Sequence, residues 1–240
     1  MAGQIRGISD PCDFYQHLYE KIPRIVRTAE LWSAGTQESR PLYGTAEYKS
    51  RGRLPHLLIQ NAIYFITWRL ADALPQNVIE DLIQMRKSLE ADMGRSLNGM
   101  TRSSKQKIDT KIRKATEKYL DQGYGECRLR IPKCAEIVSS AFSYFDNERY
   151  RLLGWVVMPN HVHVIVRPFE GKALADIVYS WKSFTAKEIN KELGRSGQVW
   201  QEEYYDRFIR NEEHLERGLF YVVNNPVNAG LKDWKWVGIG

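Results

Sequence analysis

The chain has 240 residues, 43% of them apolar and 12% aromatic, which is enough for one sizeable domain with an appendage. No apolar run approaches the ~20 residues of a membrane helix, and the start, Met-Ala-Gly-Gln-Ile-Arg, lacks the apolar core of a secretion signal. The net charge is +6, and most of it comes from one stretch: between Thr101 and Lys118, seven Lys/Arg stand against Asp109 and Glu117.

Residues 1–53 read as an N-terminal extension or arm. Phe14 to Tyr19 and Ile22 to Trp32 carry helical spacing, interrupted by Pro23, and residues 33–53 have the composition of a linker or wrapping arm. Cys12, Cys127 and Cys134 form no Cys-x-x-Cys and read as reduced thiols in a cytoplasmic protein. Residues 54–240 are expected to form the main domain. Ala62 to Leu70 is rich in β-branched and aromatic residues and predicts a buried strand. After Pro75, Val78, Ile79, Leu82, Met85 and Leu89 make one helical stripe; after the break at Gly94 to Ser104, Ile108, Ile112, Ala115 and Tyr119 make a second. Residues 76–122 therefore predict a helical hairpin whose second arm is basic, inserted into a smaller fold.

Glu126 to Ile131 is a short strand or loop, and Cys134 to Asp146 a helix. Trp155 to Met158 and His161 to Arg167 are strands flanking a Pro159-Asn160 turn. Lys172 to Leu193 is a long amphipathic helix and Tyr204 to Arg210 a strand. Asn211 is an N-cap candidate, with Glu212 and Glu213 at the positive end of a helix that runs to about Asn225 before Pro226. Without the insertion the order is strand, helix, strand, strand, helix, strand, helix. That predicts an α+β chain: a ferredoxin-like antiparallel sheet with packed helices, a helical-hairpin insertion after the first strand, and a C-terminal tyrosine-bearing helix.

Side chains alternate along a strand, so His161, His163, Ile165 and Arg167 share one face and Val162, Val164 and Val166 the other. The valines suit a core. Two adjacent imidazoles need hydrogen-bond partners or a ligand, and they can grip one divalent ion. In the last helix, Leu215, Leu219, Val222 and Val223 form the core stripe. At ~100° per residue, Tyr221 and Asn225 stand together to one side of it, with Gly218 leaving room for a ligand. Two imidazoles and an amide oxygen suit a hard cation that offsets charge on a phosphodiester, beside a phenol able to attack phosphorus. A covalent link of that kind keeps the energy of the broken diester, which suits strand transfer.

The motifs Trp155-Val-Val-Met-Pro-Asn-His-Val-His163, Ser180-Trp-Lys-Ser-Phe-Thr185, Val199-Trp-Gln-Glu-Glu-Tyr-Tyr-Asp-Arg-Phe-Ile-Arg210 and Tyr221-Val-Val-Asn-Asn-Pro-Val-Asn-Ala-Gly-Leu231 resemble those of the REP-associated tyrosine transposases. These are single-tyrosine HUH enzymes of bacterial insertion sequences. The resemblance covers roughly residues 50–236. It implies a ferredoxin-like fold, cleavage of single-stranded DNA near a hairpin, a 5′-phosphotyrosine, a free 3′-hydroxyl, and Mg2+ or Mn2+. It implies His161, His163 and Asn225 as metal ligands and Tyr221 as nucleophile, with Tyr204 and Tyr205 as rivals. A monomer or a homodimer is compatible with it.

A single strand needs cations for phosphates and aromatic faces for bases. Lys182, Arg207, Arg210 and the arm residues Arg102, Lys105, Lys107, Lys111, Arg113 and Lys114 are the basic candidates, and Trp200 is an aromatic one. A domesticated hairpin-binding protein with a silent site is the alternative. A histidine-based phosphoesterase is a third, weakened by the lack of a nearby acidic ligand in the sequence.

Overall fold

The computed structural model describes residues 11–27, 46–51, 54–59, 62–94 and 101–240; for residues 11–14, 46–51, 54–59, 94 and 102 only the backbone is described. In chain order the elements are α1 (Pro11–Arg27), β1 (Ala46–Arg51), β2 (Leu54–Ile59), β3 (Ile63–Arg69), α2 (Gln76–Gly94), α3 (Arg102–Asp121), α4 (Pro132–Tyr144), β4 (Tyr150–Val157), β5 (His161–Pro168), α5 (Leu174–Glu192), β6 (Tyr205–Ile209), α6 (Glu212–Asn228) and β7 (Val237–Ile239). β1 and β2 pair as a separate antiparallel ribbon. The other five strands form one sheet in the order β6-β3-β5-β4-β7, antiparallel throughout. Without the short edge strand β7, this is the ferredoxin-like order, with α4 and α5 as crossovers and α2–α3 inserted after the first strand. Among the described residues, no helix is long and apolar enough to cross a membrane.

The alternation read from the sequence assigns the two faces. Tyr64, Ile66 and Trp68 of β3 and Val162, Val164 and Val166 of β5 pack under α4 and α5, with Phe142, Trp181 and Trp200. Ile63, Phe65 and Ile165 pack on the opposite face under α6, whose Leu215, Leu219, Val222 and Val223 point down onto them. His161 and His163, in phase with Ile165, therefore open beneath α6 rather than into the valine core. Leu18, Ile22 and Ile25 of α1 join this second core, and Tyr19 donates a 2.6 Å hydrogen bond to the Asn224 side chain. The N-terminal extension thus clamps the tyrosine helix.

Several local expectations are revised. α1 runs unbroken through Pro23. Residues 46–51, read as linker, are a strand. Residues 128–130, within the stretch left open as strand or loop, form a 3-10 turn. α6 continues through Pro226 to Asn228, since a proline in the last turn forfeits only one backbone bond. Its start is as expected: Asn211 accepts a 2.9 Å bond from the His214 N–H, beside Glu212 and Glu213. The gap at Gly218 is filled by the sheet, not by a ligand. A Cβ there would lie 3.2 Å from Ile165 Cδ1 and 3.6 Å from Phe65, so the glycine lets α6 sit close on the strands.

Candidate active site

β5 presents both imidazoles, and each is essentially inaccessible to solvent. Their ring centroids are 4.8 Å apart. His161 Nδ1 lies 2.8 Å from Asn160 Oδ1. Facing an amide oxygen, this nitrogen carries the proton, which leaves the lone pair on Nε2. His163 Nδ1 lies 2.8 Å from Thr67 Oγ1 on the neighbouring strand, because Thr67 and His163 are register partners across β3 and β5. The hydroxyl can donate or accept; when Nδ1 carries the proton and donates to it, the His163 Nε2 lone pair is free.

α6 brings the remaining groups. The Tyr221 ring lies 5.2 Å from the His163 ring and 5.7 Å from Phe65, both edge-on. Asn225, one turn later, is buried, and its amide favours the ionised form of the Tyr221 phenol. His163 Nε2 and Asn225 Oδ1 are both buried and meet no hydrogen-bond partner among the described residues. Leaving such an atom unsatisfied costs about 1–3 kcal/mol. Two orphaned lone pairs beside a second imidazole fit a divalent cation. Among the described residues no three His, Cys, Asp or Glu side chains cluster; the Asn225 amide oxygen could supply a third protein donor beside the two imidazoles.

Burial sets the protonation states. It lowers His161 to about 3 and His163 well below its ordinary value, helped in the second case by His161, Arg113 and Arg207. Both imidazoles are therefore neutral at neutral pH, as ligation requires. Burial also raises the Tyr221 phenol, and Glu117 and Asp121 push it in the same direction. Arg113 opposes them, as does the Asn225 hydrogen bond.

The basic arm divides into two groups. Arg113 is half-buried in a 2.7 Å ion pair with Glu117 and reaches the site; Lys105, Lys107, Lys111 and Lys114 are exposed along α3. The Arg102 side chain lies outside the described residues. Arg207 stacks 5.0 Å from the Phe65 ring, and its Nε has no hydrogen-bond partner among the described residues. Arg210 is exposed, over Phe208 at 5.5 Å. Lys182 is elsewhere, on α5 across the sheet. Its ammonium donates to the carbonyls of Gln201 and Glu202 at 2.7 and 2.6 Å, and burial lowers it to about 8. It holds the 201–202 loop. Trp200 is buried and donates to Thr185 Oγ1, so its face is not offered to bases. Tyr205 pairs with Thr67 in the sheet, whereas Tyr221 is the tyrosine whose ring meets His163.

Sequence reasoning missed Thr67, Asn160, Glu117 and Asp121. Asn160 carried a signal, since it directly precedes the first histidine in a two-residue turn. Thr67 could be found only from strand register, and the two acids only from the packing of α3.

Residues 131–225 match the family model described as Transposase IS200 like. A REP-associated tyrosine transposase of Escherichia coli (strain K12) is 28% identical over 89 residues, covering 35% of this chain and 52% of that protein. The chain spans about half the length of the curated relatives it matches. A solved structure of a REP-associated tyrosine transposase bound to a REP hairpin aligns with 79% of this chain and 82% of its own, at 17% identity and a TM-score of 0.40. The matched segment contains both histidines, the tyrosine and the amide, so the likeness to the IS200-like transposases falls on the stretch that carries the candidate site.

Proposed function

We propose that this chain is a transposase that nicks and rejoins single-stranded DNA at a hairpin through a covalent 5′-phosphotyrosine. Tyr221 is the nucleophile, and His161, His163 and Asn225 hold Mg2+ or Mn2+. The observation that carries this reading is the meeting of the Tyr221 ring with His163 at 5.2 Å, beside two buried, unpartnered acceptors.

In the forward step the Tyr221 oxygen bonds to phosphorus as the bond from phosphorus to the 3′ oxygen breaks. The phenol proton is given up and the departing oxygen takes one, leaving a 3′-hydroxyl and a 5′-phosphotyrosine. Rejoining reverses the step with another 3′-hydroxyl. The bound cation would offset charge building on the phosphoryl oxygens. Phe65 and His163 hold the phenol ring edge-on, and Asn225 orients its hydroxyl. Arg113 and Arg207 supply fixed positive charge for the phosphates flanking the cut, and the lysines of α3 bind the hairpin backbone further out. Lys182 is left out of this set because two of its three ammonium protons are committed to backbone carbonyls on the far side of the sheet. The whole catalytic set comes from one chain, which favours action in cis.

The test is a detergent-stable protein–DNA adduct on a single-stranded hairpin with Mn2+. Tyr221→Phe should abolish the adduct while hairpin affinity changes less than about threefold, since one hydroxyl is removed without altering charge. An adduct surviving in that variant assigns the nucleophile elsewhere.

A further inference from the structure

We propose that Asn160 is a positioning residue whose single amide sets the His161 tautomer and ties that imidazole to the end of the basic helix α3. This rests on the reading of His161 as a ligand, but the contacts stand by themselves. Asn160 is fully buried. Its Nδ2 donates to the carbonyls of Leu120 and Tyr124, both at 3.1 Å. Carbonyl oxygens only accept, so the amide cannot flip: nitrogen faces α3 and Oδ1 faces His161 at 2.8 Å. The His161 proton is thereby fixed on Nδ1. Both amide hydrogens and one of the two Oδ1 lone pairs are used, and no other side chain of this size supplies an acceptor and two donors in that arrangement.

The backbone holds the amide in place. The Asn160 carbonyl accepts from the Leu70 N–H at 2.8 Å, and the Met158 N–H donates to the His161 carbonyl at 2.8 Å, which closes the turn. On the other side, Leu120 lies in the last turn of α3, and its carbonyl, which also accepts from the Gly123 N–H at 3.0 Å, takes the Asn160 amide as a further donor. Thr116 and Leu120 line, with Thr67 and Arg69, a cavity of about 200 Å³, so this end of α3 abuts the strand beside the imidazoles. A phosphate strand drawn against Lys111 and Lys114 therefore loads a helix whose end is bonded, through one amide, to a ring of the site. A simple helix cap would satisfy the α3 carbonyls but would not govern an imidazole tautomer.

The experiment uses the metal-free full chain. Long-range 1H–15N correlation spectra of its five histidines, with His161→Gln for assignment, report the tautomer; amide exchange reports the last two turns of α3. Wild type should show His161 protonated on Nδ1 alone. Asn160→Asp keeps the acceptor and loses both donors, so His161 should stay protonated on Nδ1 while exchange in residues 115–121 rises about tenfold or more. Asn160→Ala should lose both, giving a mixture of tautomers. Nε2 protonation in the wild type, an unchanged tautomer in Asn160→Ala, or unchanged α3 exchange in Asn160→Asp would each overturn the proposal, and the wild-type spectrum suffices if Asn160→Ala does not fold. Mn2+ broadening of the His161 and His163 signals in wild type is read separately. Its absence would overturn the proposed metal site without touching the tautomer result.

Discussion

Thr67→Val is the cleanest single perturbation of the site. Valine has the shape of threonine, so the change leaves no cavity, but it removes the hydroxyl 2.8 Å from His163 Nδ1. His163 is fully buried, so no solvent replaces that partner. Stranding a buried polar nitrogen costs about 1–3 kcal/mol, and at roughly 2–4 °C per kcal/mol for a chain of this length the metal-free protein should melt about 2–12 °C lower. The ring would also be freed from the hydrogen bond that fixes its orientation. Removing such an outer partner of a ligating histidine typically weakens metal binding about 10–100-fold. Calorimetric Mn2+ titration and thermal melts in EDTA measure the two effects independently. Thr67→Ser keeps the hydroxyl and should restore Mn2+ affinity. If Thr67→Val matches wild type in both melting and Mn2+ affinity, the hydroxyl does not hold the imidazole and the His163 Nε2 lone pair is not fixed by it.

Lys182→Met should lower stability by about 1–3 kcal/mol through the two stranded carbonyls, yet leave the salt dependence of hairpin binding unchanged; a shallower slope would return Lys182 to the DNA surface. Replacing Lys105, Lys111 and Lys114 together by alanine should reduce the log–log salt slope by about 0.7–0.9 for each phosphate that these lysines neutralise, as read by fluorescence anisotropy across salt concentrations. For the metal-free protein, His161 has a folded pKa of about 3 against 6.5 unfolded, so below pH 6.5 the unfolded chain binds protons that the folded chain does not. Stability should therefore fall as pH drops from 6.5 towards 3, by up to about 1.4 kcal/mol per pH unit from this group. Urea midpoints that stay flat across that window would contradict the buried, neutral imidazole.

Much of the site was legible because strand and helix periods are local properties. Alternation along His161 to Arg167 put both imidazoles opposite the valines, and the spacing of Tyr221 and Asn225 put them on one edge of a capped helix. These inferences need only the geometry of one element. The inference from Gly218 failed because an open position on a helix does not reveal what fills it; here Ile165 and Phe65 do. Lys182 and Trp200, read as candidate DNA contacts, are engaged within the fold for a related reason. Charge and aromaticity are visible in sequence, but the loop carbonyls and the Thr185 hydroxyl that engage them are not.

The sequence by itself determined the order of the elements from β3 to α6, the ferredoxin-like plan, and which face of β5 carries the histidines, since period and capping act over a few residues. Only the tertiary structure decided that the phenol of α6 meets His163, that Thr67 and Asn160 orient the two rings, and that the end of the inserted helix is bonded to one of them. Thr67 reaches His163 across 96 positions of chain, and Asn160 reaches Leu120 and Tyr124 across 40 and 36. Such meetings depend on sheet register and helix docking, which follow from the packing of the whole core rather than from any one segment.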